Sequence, residues 1–282
     1  WLPKFYSIED FFFKIINYNK AHKLDLFFTF YKLYAKHVKN PQTIDQCYKW
    51  APILLEDFNE IDKSHVDYVK LFNYLSDIKR LDSWDLELPV QKEFANNYLG
   101  FFEKLKVLYE EFIKELENNS IAYSGFSQRK LADNPIILKK WLDKEGIKKV
   151  IFIGLDALTR SQEIIIDFLL KNKACEIYWD FDKYFLEDDN QESAKFLRKY
   201  QYKWPALFKN IPTDFLSISK QIDIYGLSKN ISQSKFLGNI LLNKKYNHKN
   251  IKRTAIILSD ESLLSPVLES LPPNIDSINV TM

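Results

Sequence analysis

The chain is 282 residues long, 46% hydrophobic and 16% aromatic, with a net charge of +2. That length suggests about two domains and a core that buries roughly three quarters of the unfolded surface, and the apolar content excludes wholesale disorder. The near-neutral charge gives no whole-chain case for nucleic acid, and no apolar run approaches the ~18 residues of a membrane span.

The first residue is Trp1, and the sole methionine is Met282. Both ends are therefore expected to be cuts in a longer polypeptide. In chain order, Ser7 with Asp10 three residues on reads as a helix cap before the run Phe11 to Ile16. Leu24 to Val38 carries Phe27, Phe28, Tyr31 and Tyr34 at helical spacing, and Thr43 to Phe58 repeats the pattern with Cys47, Trp50, Leu54 and Leu55. Helices are predicted over His65 to Lys79, over Val90 to Asn118, and in two shorter pieces at Ser127 to Ala132 and Pro135 to Lys144. Glycine is sparse through this half, as a helical bundle prefers.

The period changes near residue 148. Lys149 to Gly154 is a short apolar run ending in glycine, the pattern of a buried parallel strand. Thr159 caps a predicted helix to Lys171, and Ala174 to Trp179 is a second strand. Further strands are predicted at 221–226 and 254–258, with helices at 192–202, 232–243 and 261–270; Ser277 to Thr281 also reads as a short strand. Such alternation predicts an open parallel α/β sheet with right-handed crossovers. The expected organisation is a helical domain over 1–147, an α/β domain over 148–212, and the start of a second α/β domain over 213–282.

Candidate chemistry is thin. No GxxxxGK[ST] or GxGxxG phosphate loop and no GxSxG elbow occurs. Cys47 and Cys175 are far apart and fit no metal or disulfide pattern; Cys175 lies in an apolar run and reads as core. The four histidines are scattered, so no metal site is placed. Asp156 follows the first strand, and Asp180 and Asp182 follow the second. Carboxylates there face the edge where α/β proteins bind ligands and Mg²⁺, although Asp is more commonly a cap or turn residue. Asp77-Ile78-Lys79 has the acid-x-Lys spacing of a metal nuclease but falls in a helical stripe. Trp84, Trp141, Trp179 and Trp204 are either core or stacking platforms for a single strand. Lys139, Lys140, Lys144, Lys148 and Lys149 form a modest basic cluster.

The strand 149–154 with Gly154-Leu155-Asp156-Ala157-Leu158-Thr159-Arg160-Ser161-Gln162 resembles the Walker B segment of UvrD-type superfamily I helicases. The Asp-Glu pair of that segment is replaced here by Gly154 and Leu155. Trp179-Asp180-Phe181-Asp182-Lys183-Tyr184 looks like the segment that contacts a γ-phosphate, with Lys183 where glutamine belongs. With Leu54 to Asp62 and Leu75 to Arg80, the chain resembles the AddB-type inactivated helicases that precede a PD-(D/E)xK nuclease, in their Bacteroidetes form. The resemblance implies a degenerate P-loop-NTPase-like sheet beside a large all-α domain, in a cytoplasmic DNA-repair and recombination protein. Asp156, Gln162, Asp180, Asp182 and Lys183 would be remnants of a nucleotide site, and Thr159 and Arg160 possible DNA contacts. The chain itself would use no cofactor and carry no catalytic residue. The parent protein would be a nuclease that uses Mg²⁺. DNA, as a single strand or duplex end, and a helicase–nuclease partner subunit are the implied partners. A protein-interaction scaffold without DNA contact and a nucleotide-binding regulator using Asp156 and Asp180 stay open beside it.

Overall fold

The N-terminal helices begin where side chains can satisfy free backbone amides. Ser7 Oγ accepts from Asp10 N at 3.1 Å to start α1 (Ile8–Ile16), as the sequence predicts. The computed structural model describes residues 3–84, 89–209, 211–242, 254–275 and 277–281, and their side chains apart from those of 78–100, 102 and 103. It divides into two compact units, Trp1–Ser217 and Ile218–Met282.

The first unit is mostly helical. After α1 come α2 (Lys23–His37), α3 (Ile44–Tyr48), α4 (Ala51–Lys63), α5 (Tyr68–Trp84) and α6 (Pro89–Asn118). The expected single helix from Thr43 is broken at Lys49 and Trp50 into α3 and α4, and Thr43 with Gln46 makes a reciprocal capping box on α3. α7 (Ser124–Asp133) and α8 (Ile136–Glu145) follow. Two short parallel ladders punctuate the helices. β1 (Asn19–Lys20) pairs with β2 (Ile121–Ala122), and β3 (Val150–Ile153) pairs with β4 (Cys175–Tyr178), Val150 opposite Cys175. The crossover between β3 and β4 is α9 (Arg160–Lys171), which is the strand–helix–strand unit the period change predicts. α10 (Lys183–Glu187), α11 (Lys195–Lys203) and α12 (Asp214–Ser217) complete the unit.

One core runs through this unit. Phe30 lies 6.3 Å from Phe58 and 6.1 Å from Phe112, centroid to centroid, joining α2, α4 and α6. Phe11 of α1 reaches Trp141 of α8 at 5.9 Å and Phe152 of β3 at 6.2 Å, so the helical half and the β3–α9–β4 unit share buried surface. Cutting a fully buried ring such as Phe58 to alanine is expected to cost about 3–5 kcal/mol. Gly125 lets α7 lie against α4: a Cβ there would overlap the Asn59 carbonyl oxygen, while the Gly125 amide donates to Asn59 Oδ1 at 2.7 Å.

The second unit holds α13 (Asn230–Leu242), a 3-10 turn at Glu261–Leu263 and α14 (Leu264–Ser270). α13 and α14 pack closely because Gly238 faces the Ser270 carbonyl, where a Cβ would not fit. The strands expected at 221–226, 254–258 and 277–281 are not formed among the described residues. Their apolar side chains are exposed, Ile224 at 90% and Ile257 at 91%. A strand exists by pairing, and no described segment supplies a neighbour for them. The observed fold is thus helical with two two-stranded parallel sheets, rather than an extended parallel sheet running into the second unit.

Candidate functional site

The C-terminal edge of the β3–β4 ladder is where the sequence places its candidate residues. β3 is followed by Gly154, whose φ of +68° is the left-handed conformation glycine adopts without strain. The Gly154 amide still donates to the Tyr178 carbonyl at 3.0 Å. The loop then turns into α9, and Leu158 N donates to Tyr200 Oη of α11 at 2.7 Å.

Thr159 and Gln162 are held in local structure. Thr159 Oγ1 accepts from Gln162 N at 3.2 Å, and Gln162 Oε1 accepts from Thr159 N at 3.0 Å, a reciprocal capping box. The same Thr159 hydroxyl donates to Gln128 Oε1 at 2.7 Å; Gln128 Nε2 donates to Ser124 Oγ, and Ser124 Oγ to Glu9. That chain pins the loop after β3 to α7 and α1. Asp182 caps α10, accepting from Tyr184 N at 2.9 Å, and its other oxygen accepts from Phe215 N at 2.9 Å. Lys183 pairs with Glu187 at 3.4 Å and its amide donates to the Pro212 carbonyl. Asp156 and Asp180 are exposed on the loops that follow β3 and β4. The ladder therefore brings Asp156, Asp180 and Asp182 to one edge of the sheet, while Gln162 and Asp182 serve as helix-terminus ties.

Two buried carboxylates that the sequence reading passed over organise the surroundings. Asp62 on α4 is fully buried and accepts hydrogen bonds from the Tyr109 and Tyr123 hydroxyls, with Arg129 Nη1 at 3.5 Å. Ser161 of α9 donates to the Asp62 carbonyl at 2.7 Å, so α4, α6, α7 and α9 meet at one residue. Burial pushes the Asp62 carboxyl above its ordinary value; the two phenol donors and Arg129 pull it down without cancelling that effect. The Tyr109 and Tyr123 phenols are raised by the same burial and by the carboxylate they face.

Glu163 on α9 is equally buried but meets three cations. Lys199 pairs with Oε1, and Arg160 Nη1 and Lys203 Nζ lie 3.2 and 3.1 Å from Oε2. Burial raises its carboxyl, yet hydrogen bonds from Lys199 and Lys203 outweigh that and hold it below the usual glutamate value. Lys203 also binds Asp167 at 2.9 Å and lies 4.6 Å from the Trp204 ring centroid. Behind the cations, Trp179, Tyr200 and Trp204 stack, with Trp179–Tyr200 centroids 5.4 Å apart and Tyr200–Trp204 5.3 Å apart.

The other sequence candidates fall as follows. Trp204 is buried, and Trp141 and Trp179 are half-buried and packed on the core, so these three are core residues rather than exposed platforms; the Trp84 side chain lies outside the described residues. Asp77-Ile78-Lys79 lies on α5, as its helical stripe indicates, with the Ile78 and Lys79 side chains outside the described set. The lysines at 139, 140, 144, 148 and 149 are exposed, Lys149 pairing with Glu176 at 2.6 Å. Cys47 and Cys175 are free and buried, their thiols each pushed by burial to about 11. No group of metal-binding side chains occurs among the described residues, and none of the described helices is long and apolar enough to cross a membrane. The signal for the Glu163 cluster was present in the run Lys195 to Lys203, which has four basic residues and no acid. No family model, curated protein or solved structure matches the chain.

Proposed function

We propose that the chain is a non-catalytic, helicase-like scaffold of a DNA-repair helicase–nuclease of the AddB type, which holds or scans DNA for a partner motor and an attached nuclease. One observation carries the reading. The loops of the β3–α9–β4 crossover follow the C-terminal ends of a parallel ladder, the edge at which α/β proteins bind ligands, and Thr159, Gln162 and Asp182 there are engaged in helix caps and inter-helix ties. Such residues stiffen a platform rather than orient a phosphate. Gly154 and Leu155, at the positions of the motor's acidic pair, support the same reading.

The test is titration of a labelled oligonucleotide with the purified 282-residue chain across salt concentrations, beside a Mg-ATPase assay. Binding that weakens steeply with salt, by a slope of about −0.7 per contacted phosphate on single strands, together with no ATP turnover, is expected. ATP hydrolysis at motor-like rates overturns the non-catalytic part, and Mg-ATP protection from thermal unfolding points to a nucleotide-binding regulator. A second reading, a protein-interaction scaffold, draws on the exposed apolar residues Ile151, Ile153 and Tyr178 of the β3–β4 ladder, 54%, 72% and 56% exposed. Parallel ladders are ordinarily covered on both faces. Absence of DNA binding at low salt favours that second reading.

A further inference from the structure

Helix α11 has two unlike faces. Leu197, Tyr200 and the adjoining Trp204 are buried in the core, and Arg198 is spent on structure: its guanidinium donates to the carbonyls of Phe185, Asp188, Asp189 and Gln191. On the outer face Lys195, Lys199 and Tyr202 recur at four and three residues, one stripe of a helix about 10 Å long. Tyr202 is 93% exposed and the neighbouring Phe196 is 41% exposed.

Cations outnumber the carboxylates they reach here. Helix α11 carries no acidic residue; Lys199 and Lys203 reach Glu163, which also holds Arg160, and Lys203 is shared with Asp167. Glu163 lies beneath the cations, its side chain 2% exposed, whereas Arg160 and Lys199 are each 57% exposed. The buried acid thus fixes the two cations side by side and leaves their outer hydrogens to solvent. Fixed cations at the surface fit phosphate, and an exposed ring among them fits an unstacked base. A duplex would leave the Tyr202 ring without a base face to meet, since its bases are already stacked.

We propose that the outer face of α11, with Arg160, is the surface on which a single strand of DNA lies, its phosphates on Lys195, Lys199 and Arg160 and a base on Tyr202. The proposal rests on the reading of the chain as a DNA-holding scaffold, and names the place and the form of DNA held.

The test uses the full chain, a labelled oligothymidylate of ~16 nucleotides, and an abasic strand of the same length. Lys195→Ala removes one exposed cation of the face, and Tyr202→Ala removes the exposed ring; unchanged thermal melting checks that each variant folds. Lys195→Ala is expected to make the slope of log affinity against log salt shallower by about 0.7, the share of one phosphate. Tyr202→Ala is expected to weaken oligothymidylate roughly five-fold or more while leaving the abasic strand unchanged. If wild type binds and neither variant differs from it, this face is not the site, although the scaffold reading stands. If wild type binds no oligonucleotide at low salt, the scaffold reading falls and the site with it. Equal displacement by polyglutamate, with no effect of Tyr202→Ala, overturns the proposal in favour of an acidic protein segment.

Discussion

Asp62 and Glu163 are both buried carboxylates on helices of the same unit, and they solve burial in opposite ways. Asp62 is enclosed: two phenols and one guanidinium satisfy it inside the core, where α4, α6, α7 and α9 converge. Glu163 is over-supplied: three cations converge on it, and two of them stand more than half exposed. The closed arrangement fixes helix positions and presents nothing to solvent. The open one uses a buried anion to orient a cationic surface. Burial of an acid, taken alone, therefore says little about function; what matters is whether its partners end in the core or at the surface.

The largest effect expected from this contrast is at the closed site. Asp62→Ala leaves the Tyr109 and Tyr123 hydroxyls buried without their acceptor and Arg129 without one partner, and should cost about 3–5 kcal/mol in denaturant unfolding. Lys199→Ala, which removes a half-exposed partner at the open site, should cost no more than about 1 kcal/mol. Equal losses in the two variants would erase the distinction. Next in size is Gly125→Ala. The new methyl meets the Asn59 carbonyl at the α4–α7 contact that carries Asp62, and should cost about 1–3 kcal/mol through forced separation of the helices. A melting temperature equal to that of wild type would show that α4 and α7 are not held as tightly as the Asp62 network requires.

How much of this was readable in the sequence depends on whether a feature is local. The Thr159 cap, the apolar run at 149–154 and the strand at 174–179 are local, and β3, α9 and β4 appear where their patterns put them. Residues 221–226 and 254–258 have equally strand-like patterns but form no ladder, because pairing depends on a second segment that the pattern does not contain. The cap at Asp182 was among the roles the sequence offered that residue, whereas the return bond from Gln162 to Thr159 required the geometry of the turn. Asp62 had a faint signal: it lies four residues after Phe58 and eleven after Ala51, on the buried stripe of α4, where an acid is out of place. The basic run of α11 was visible, but its significance depended on Glu163, which arrives from another helix.

The smallest expected effect separates the two carboxylates by sign. Asp62 has its folded pKa raised above the ordinary 3.8, so the folded state binds its proton more readily than the unfolded chain does. Its contribution is complete below the unfolded value and is lost as pH rises through the folded one. Glu163 is lowered from 4.5, so its contribution is complete above the unfolded value and is lost as pH falls through the folded one. Relative to Asp62→Asn, wild-type stability should therefore decline as pH is raised from about 4. Relative to Glu163→Gln, it should rise with pH up to about 4.5, each slope at most about 1.4 kcal/mol per pH unit. Urea unfolding of the three proteins across this acidic range measures both slopes. Slopes of the same sign would mean that Lys199 and Lys203 do not overcome the burial of Glu163, and that the open site is as closed as the other.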